Sequence, residues 1–262
     1  KLEVRTAGPT DAAHTFVLTH GWTNDRRVWG AVAARLVEHG HRVVVWNQRG
    51  HGGSTGGDDG YTVEAIGADV RAVLEQLDLH DVVLVGHSMG GMASMAFLTA
   101  HPDARRRVAA VALVATASGD VGVKGGRMGE RIATQVIAHP RLERALASAS
   151  IGPLLVRNTV GRRAVHSHLE AVRELFVATP PEVRSGFLGA MAQMDLAEAL
   201  GELDIPSVVV VGARDRLTPP ALSRRLANAL PGARLAVLDD FGHMLPLEAP
   251  VELADLLESL AS

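Results

Sequence analysis

The sequence predicts an α/β protein: a mostly parallel sheet with helices on both faces and an inserted helical cap. Three observations carry this. Short segments that are apolar along their whole length, such as Val43–Trp46 and Val108–Val114, alternate with helical patterns, and a strand buried on both faces belongs in a parallel sheet. Several of these segments run straight into sharp, Gly-containing turns. The alternation stops at Ser118 and resumes only at Ser207, leaving a block too long to be a plain loop.

Taken in order, Leu2–Thr6 alternates as an edge strand would, and Gly8-Pro9-Thr10-Asp11 forms a turn. Thr15–Thr19 is a short apolar strand ending in His20-Gly21-Trp22. Asp25–His39 has helical spacing at Val28, Val32 and Leu36 and stops at Gly40. The strand in His41–Asn47 ends in Gln48-Arg49-Gly50-His51-Gly52-Gly53-Ser54. Thr62–Leu77 is an amphipathic helix. Val82–Gly91 then reads strand, turn, helix start, and Met89–His101 continues the helix. After Val108–Val114 comes a Gly-rich stretch (Gly119, Gly122, Gly125, Gly126, Gly129), expected to be a hinge or entrance loop. Helical patterns follow at roughly Arg131–Ala147, Gly152–Thr159, Arg162–Ala178 and Pro181–Leu200. The expected division is therefore a core of residues 1–118 and 204–262, with residues 119–203 as the cap. The sheet resumes at Ser207–Val211. A helix over Pro219–Ala229, a strand over Arg234–Leu238 and a helix over Glu248–Leu260 close the chain.

Composition narrows the function. The net charge is −3 and 47% of the 262 residues are hydrophobic. No block of like charge calls for nucleic acid or an anionic membrane. With no cysteine, a thiol nucleophile, a disulfide and a Cys-based metal site are excluded. No apolar run is long enough to span a bilayer, and no signal peptide is visible. The expected location is the cytoplasm, although a leader removed ahead of Lys1 is compatible with the sequence. His166 and His168 are two residues apart on an expected helix, which is poor spacing for a metal pair. They are taken as surface residues, and no metal or organic cofactor is expected.

The chemistry concentrates at Gly86-His87-Ser88-Met89-Gly90. A Gly-x-Ser-x-Gly turn between a buried strand and a helix holds its serine exposed at the apex. An alcohol is a poor nucleophile at neutral pH, so it needs a base, and the base needs an orienting partner. His243 follows the last strand by a short loop. Asp215 follows the Ser207–Val211 strand. Asp120 also follows a strand and is the rival for the acid. The Met89 backbone N–H and the loop holding Trp22 are the expected oxyanion donors. The Trp22 indole could equally wall the pocket. All these groups fall at strand carboxyl ends, where open parallel sheets bind ligands.

With these motifs in place, the chain resembles the α/β-hydrolase superfamily, in its branch of cap-bearing serine esterases and lipases. His20-Gly21-Trp22, Arg49-Gly50-His51-Gly52, Gly86–Gly91, Gly212–Asp215 and Gly242-His243 occur in the order that family shows. Asn47 departs from it, since relatives often carry aspartate there to support the rim. The resemblance implies hydrolysis of a short to medium aliphatic carboxylic ester through a seryl acyl-enzyme. Rival readings are lactone hydrolysis, carbon–carbon bond hydrolysis, a cofactor-less perhydrolase and a non-catalytic binder that keeps the triad. Carbon–carbon hydrolysis would need Arg157, Arg162 or Arg163 to face the pocket. His20, His51 and His87 are expected to hold the rim loops. Phe187, Met191 and Met194, with Met128 and Leu245, are candidates for an acyl pocket or for plain cap core. The expected partner is a small ester or lactone, and the protein is expected to be a monomer or homodimer.

Overall fold

The computed structural model describes residues 1–121 and 126–261, without the side chains of residues 126, 127 and 130. Its centre is a seven-stranded sheet. The strands are β1 (Val4–Ala7), β2 (Thr15–Thr19), β3 (Arg42–Trp46), β4 (Val82–His87), β5 (Val108–Val114), β6 (Ser207–Gly212) and β7 (Arg234–Leu238). They lie in the order β1-β3-β2-β4-β5-β6-β7. Only β1 runs antiparallel, pairing Val4 with Trp46 at one edge.

The middle strands are apolar throughout because both faces are covered, and the two faces divide by the strand period of two. In β4, Val82 and Leu84 enter one core while Val83 and Val85 enter the other. The first core is closed by α2 (Val63–Gln76) and α3 (Met89–Ala100), and the second by α1 (Gly30–Glu38). The Thr62 hydroxyl caps α2 by accepting the Ala65 N–H at 3.1 Å. The expected Asp25–His39 helix opens instead with a 3-10 turn, Arg26–Trp29, capped by the Asp25 carboxylate.

Between β5 and β6 the described chain is helical: α4 (Gly126–Ile137), α5 (Pro140–Ala147), α6 (Gly152–Val156), α7 (His166–Ala178), α8 (Pro181–Gln193) and α9 (Ala197–Leu200). The expected Arg131–Ala147 helix is two helices. Pro140 disfavours helical backbone at His139, which is extended (φ −77°, ψ 131°) and caps α5 through its ring Nδ1. Pro181–Leu200 likewise breaks at the extended Met194. The helix expected from Arg162 begins at His166, after the extended Val165. Gly122 and Gly125 of the expected hinge lie outside the described residues, whereas Gly119 bridges to Asp195 and Gly129 is within α4. The chain ends with α10 (Pro220–Ala229), α11 (Leu245–Glu248) and α12 (Pro250–Ala261). The single C-terminal helix expected from Glu248 is divided by the break before Pro250. No helix of the described residues is long and apolar enough to cross a membrane.

Candidate active site

β4 delivers its last residue straight into Ser88, whose backbone has φ 53° and ψ −119°. That region costs a non-glycine residue roughly 1–3 kcal/mol. The surroundings hold it there: the Ser88 N–H donates to the Val114 carbonyl at 2.9 Å, and the Thr116 hydroxyl donates to the Ser88 carbonyl at 2.8 Å. A Cβ on Gly86 would overlap the Gly90 carbonyl, and one on Gly90 would overlap the Thr19 carbonyl. The turn therefore closes only with glycine at both places. The same approach packs the start of α3, whose first N–H groups have no helical acceptor, against the end of β2. The loop after β2 passes over Ser88, with the Cβ position of Gly21 only 3.1 Å from Ser88 Cβ.

The loop after β6 presents Asp215, whose side chain is fully buried. Its Oδ1 accepts the N–H groups of Leu217 (2.8 Å) and Thr218 (2.9 Å). Its Oδ2 accepts the Thr218 hydroxyl at 2.8 Å and lies 2.8 Å from His243 Nδ1. Burial pushes the Asp215 carboxyl upward and is the largest single influence. The His243 charge, its hydrogen bond and the Thr218 donors together outweigh it, so the net direction is below the ordinary range. With Nδ1–H committed to Asp215, His243 offers Nε2 as an acceptor. Asp120, the rival acid, is far from this role: it is mostly exposed and pairs with Arg225 on the surface.

A carboxylate that the sequence reading missed holds the histidine loop. Glu248 is buried. Its Oε2 accepts the N–H groups of Gly161 (2.6 Å) and Gly242 (3.1 Å), and its Oε1 accepts that of Met244 (3.0 Å). Glu248 thus fixes both neighbours of His243 and ties the inserted segment to them.

Three further histidines stitch the rim. His20 donates from Nδ1 to the Gly21 carbonyl (2.8 Å) and accepts the Gln48 N–H at Nε2 (3.0 Å). His51 donates to the Arg49 carbonyl (3.0 Å) and accepts the Thr23 N–H (3.2 Å). His87 donates from Nε2 to the His243 carbonyl at 2.8 Å. Asn47, standing where an aspartate was expected, accepts the Arg26 N–H (2.7 Å) and donates to Glu3 (2.7 Å). Glu3 also meets the Gly53 N–H and the Arg26 guanidinium. The carboxylate of this corner is therefore supplied from the β1 side.

The family model for serine aminopeptidases of type S33 matches residues 10–250. The chain belongs to this α/β-hydrolase family. Over 253 residues it is 29% identical to a non-heme chloroperoxidase of Kitasatospora aureofaciens, covering 93% of this chain and 91% of that one. It superposes on an enol-lactonase of Burkholderia xenovorans with a TM-score of 0.82 at 26% identity, covering 99% of this chain and 95% of the other. An esterase of Exiguobacterium antarcticum shares the fold with a TM-score of 0.85 at 21% identity, covering 99% and 95% of the two chains.

In this hydrolase, Ser88 and His243 open onto one cavity of about 390 Å³. Its wall is mainly apolar, including Ile137, Leu142, Leu155, Phe176 and Met191. Among the proposed pocket residues, only Met191 lines it. Phe187 is fully buried beneath, its ring 5.3 Å from Tyr61 and 5.7 Å from His51. Met194 packs with Phe187 in the core on that face, and Leu245 lies in the opposite core. Met128 is 63% exposed on α4. Helical spacing marks a shared face, not the neighbour that face meets; of the two readings open for Phe187 and Met194, the structure places both in the core. The Trp22 indole does wall the cavity: it donates to the Arg184 carbonyl at 3.1 Å and meets Phe176 edge-on at 5.9 Å. His166 lies on the surface beside Glu170, whereas His168, also expected there, is partly buried.

Proposed function

We propose that this hydrolase cleaves short to medium aliphatic carboxylic esters through a seryl acyl-enzyme. One observation carries the reading: Ser88, held at a strained turn, shares a cavity with His243, whose Nδ1 is hydrogen-bonded to the buried Asp215. Ser88 Oγ attacks the ester carbonyl as His243 Nε2 takes its proton. Asp215 keeps the tautomer and stabilises the imidazolium. The backbone N–H groups of Met89 and Trp22 bind the oxyanion. His243 then protonates the leaving alcohol, and water, activated by the same imidazole, releases the acid. Residues 119–203 act as the cap that sizes the acyl site.

The apolar wall favours aliphatic acyl groups, and the cavity is at the small end of ligand sites, which run roughly 300–1,000 Å³. Carbon–carbon bond hydrolysis is disfavoured because Arg157 and Arg162 line a different cleft and Arg163 stacks over Phe241 at 5.2 Å. The likeness to an enol-lactonase at 26% identity supports lactones as a second substrate class on the same residues.

The test is hydrolysis of p-nitrophenyl esters from acetyl to palmitoyl, beside a lactone panel, with Ser88→Ala as control. Turnover with a short-to-medium optimum that disappears in Ser88→Ala is expected. Lactone turnover far above ester turnover would move the assignment to the second class. No turnover of either by folded protein would refute both and leave perhydrolysis, tested with acetate and peroxide, or a binding role.

A further inference from the structure

The net charge of −3 is not spread evenly over this chain. Behind the Asp215–His243 pair lies a second cleft, of about 450 Å³, whose lining includes Arg157, Arg162, Arg214 and Arg216. One wall is the inserted segment 157–162 and the other is the loop 213–216 that follows β6. Arg216 spans the two, donating to Asn158 Oδ1 at 2.7 Å. Arg157 donates to the Val160 and Gly161 carbonyls.

Very little negative charge answers these four guanidiniums. Asp215 is part of the wall, but its side chain is fully buried and turned to His243 and Thr218. Asp240 reaches only Arg214, at 3.4 Å, and both side chains are over 40% exposed. The Arg162 guanidinium meets no acceptor among the described residues. Scattered exposed arginines need no explanation. Four lining one concavity, answered among the described residues by one direct ion pair, Asp240 with Arg214, and in an acidic chain, make a positive site of the kind that concentrates anions. Guanidinium forks match the paired oxygens of phosphate groups.

We propose that this cleft binds a phosphate-bearing small molecule of about diphosphate size, held between Arg157 and Arg162 on one wall and Arg214 and Arg216 on the other. The site is distinct from the ester cavity, which lies across the 213–218 loop. Its occupant would nevertheless be felt there. The Thr159 carbonyl accepts the N–H groups of His243 (3.0 Å) and Met244 (3.2 Å), and the Arg162 N–H donates to the Asp240 carbonyl (2.8 Å). An anion bridging the walls therefore ties together the two segments that hold His243 and Asp215.

The test is direct titration of the whole protein with pyrophosphate, by calorimetry at about 20 mM salt, where the screening length is roughly 20 Å. Because binding is read directly, its outcome is independent of the ester reading. Saturable one-to-one binding with a Kd below about 1 mM is expected, with citrate weaker because each carboxylate offers two acceptor oxygens where a phosphate group offers three. The double variant Arg162→Gln/Arg216→Gln should weaken pyrophosphate at least about tenfold. If loss of the Asn158 bond lowers its melting temperature, Arg162→Gln alone carries the comparison, since no protein acceptor is lost there. Hydrogen exchange should slow in 157–162 and 213–216 on binding. No heat up to about 10 mM ligand, unchanged affinity in Arg162→Gln, or citrate binding as tightly as pyrophosphate would each overturn the proposal.

Discussion

Acidification from about pH 7.5 to about pH 5 should remove at least about 4 kcal/mol of folding stability, and two rim histidines account for that minimum. Burial, the largest influence, pushes His51 down to about 4, against the opposing Arg49 carbonyl and the Asp25 charge. Burial and then the nearby His243 charge push His87 down to about 3. An unfolded histidine titrates near 6.5. Below that pH the unfolded chain gains a proton at each position that the folded chain refuses, so stability falls as pH drops from about 6.5 toward the folded values. Each group costs about 1.36 kcal/mol per pH unit, hence about 2 kcal/mol each at pH 5. His20 is shifted in the same direction, also chiefly by burial, so the pair sets a lower bound. Asp215 and Glu3 are shifted below the ordinary carboxylate range, Asp215 against its burial and Glu3 chiefly by the Gly53 N–H. Their stabilisation is lost only as pH falls through those low values, so it is constant in this window. The assay is urea unfolding at both pH values, with His51→Gln as comparison. His51→Gln should be less stable at pH 7.5 but lose about 2 kcal/mol less on acidification. A drop below about 1 kcal/mol in the unsubstituted protein, or an unaltered drop in His51→Gln, would refute the reasoning.

Other substitutions probe the site itself. Glu248→Gln turns one of the two accepting oxygens into an NH2 group facing a backbone N–H. It should cost about 2–3 kcal/mol in urea unfolding and lower ester turnover, because Gly242 and Met244 flank His243. Asp215→Asn presents an amide N–H to His243 Nδ1 and favours the wrong tautomer. Its kcat for p-nitrophenyl acetate should fall about 10⁴-fold with the fold intact. Met191→Trp should move the chain-length optimum of the ester series to shorter acyl groups without loss of acetyl turnover; an unchanged optimum would remove Met191 from the acyl wall.

The sheet was legible because its signals are local. A strand apolar on both faces has one common use, and Val82–Val85 and Val108–Val114 carry that pattern without interruption. Ser88 was legible for a related reason: Gly86 and Gly90 are needed where backbone meets backbone, and no long-range contact has to be known to read them. The breaks at His139 and before Pro250 were also written in the chain, since proline disfavours helical backbone at the residue before it. Helical spacing nevertheless continues across both. By contrast, Glu248 left no signal, because its acceptor role is directed at backbone N–H groups, one of them 87 residues away.

What the sequence by itself determined is the layered architecture, the tight turn that carries Ser88, and the order in which serine, aspartate and histidine reach one rim. Periodicity and glycine spacing are properties of a few adjacent residues, so they survive without a partner. Only the tertiary structure decided the rest. Phe187 packs on Tyr61 and His51 instead of lining the cavity. Asp215 and not Asp120 meets His243. Arg157 and Arg162 face Arg214 and Arg216 across a cleft of their own. Each is a choice between neighbours brought together from distant parts of the chain, and chain folding, not local pattern, sets which charges and rings end up within a few ångströms of one another.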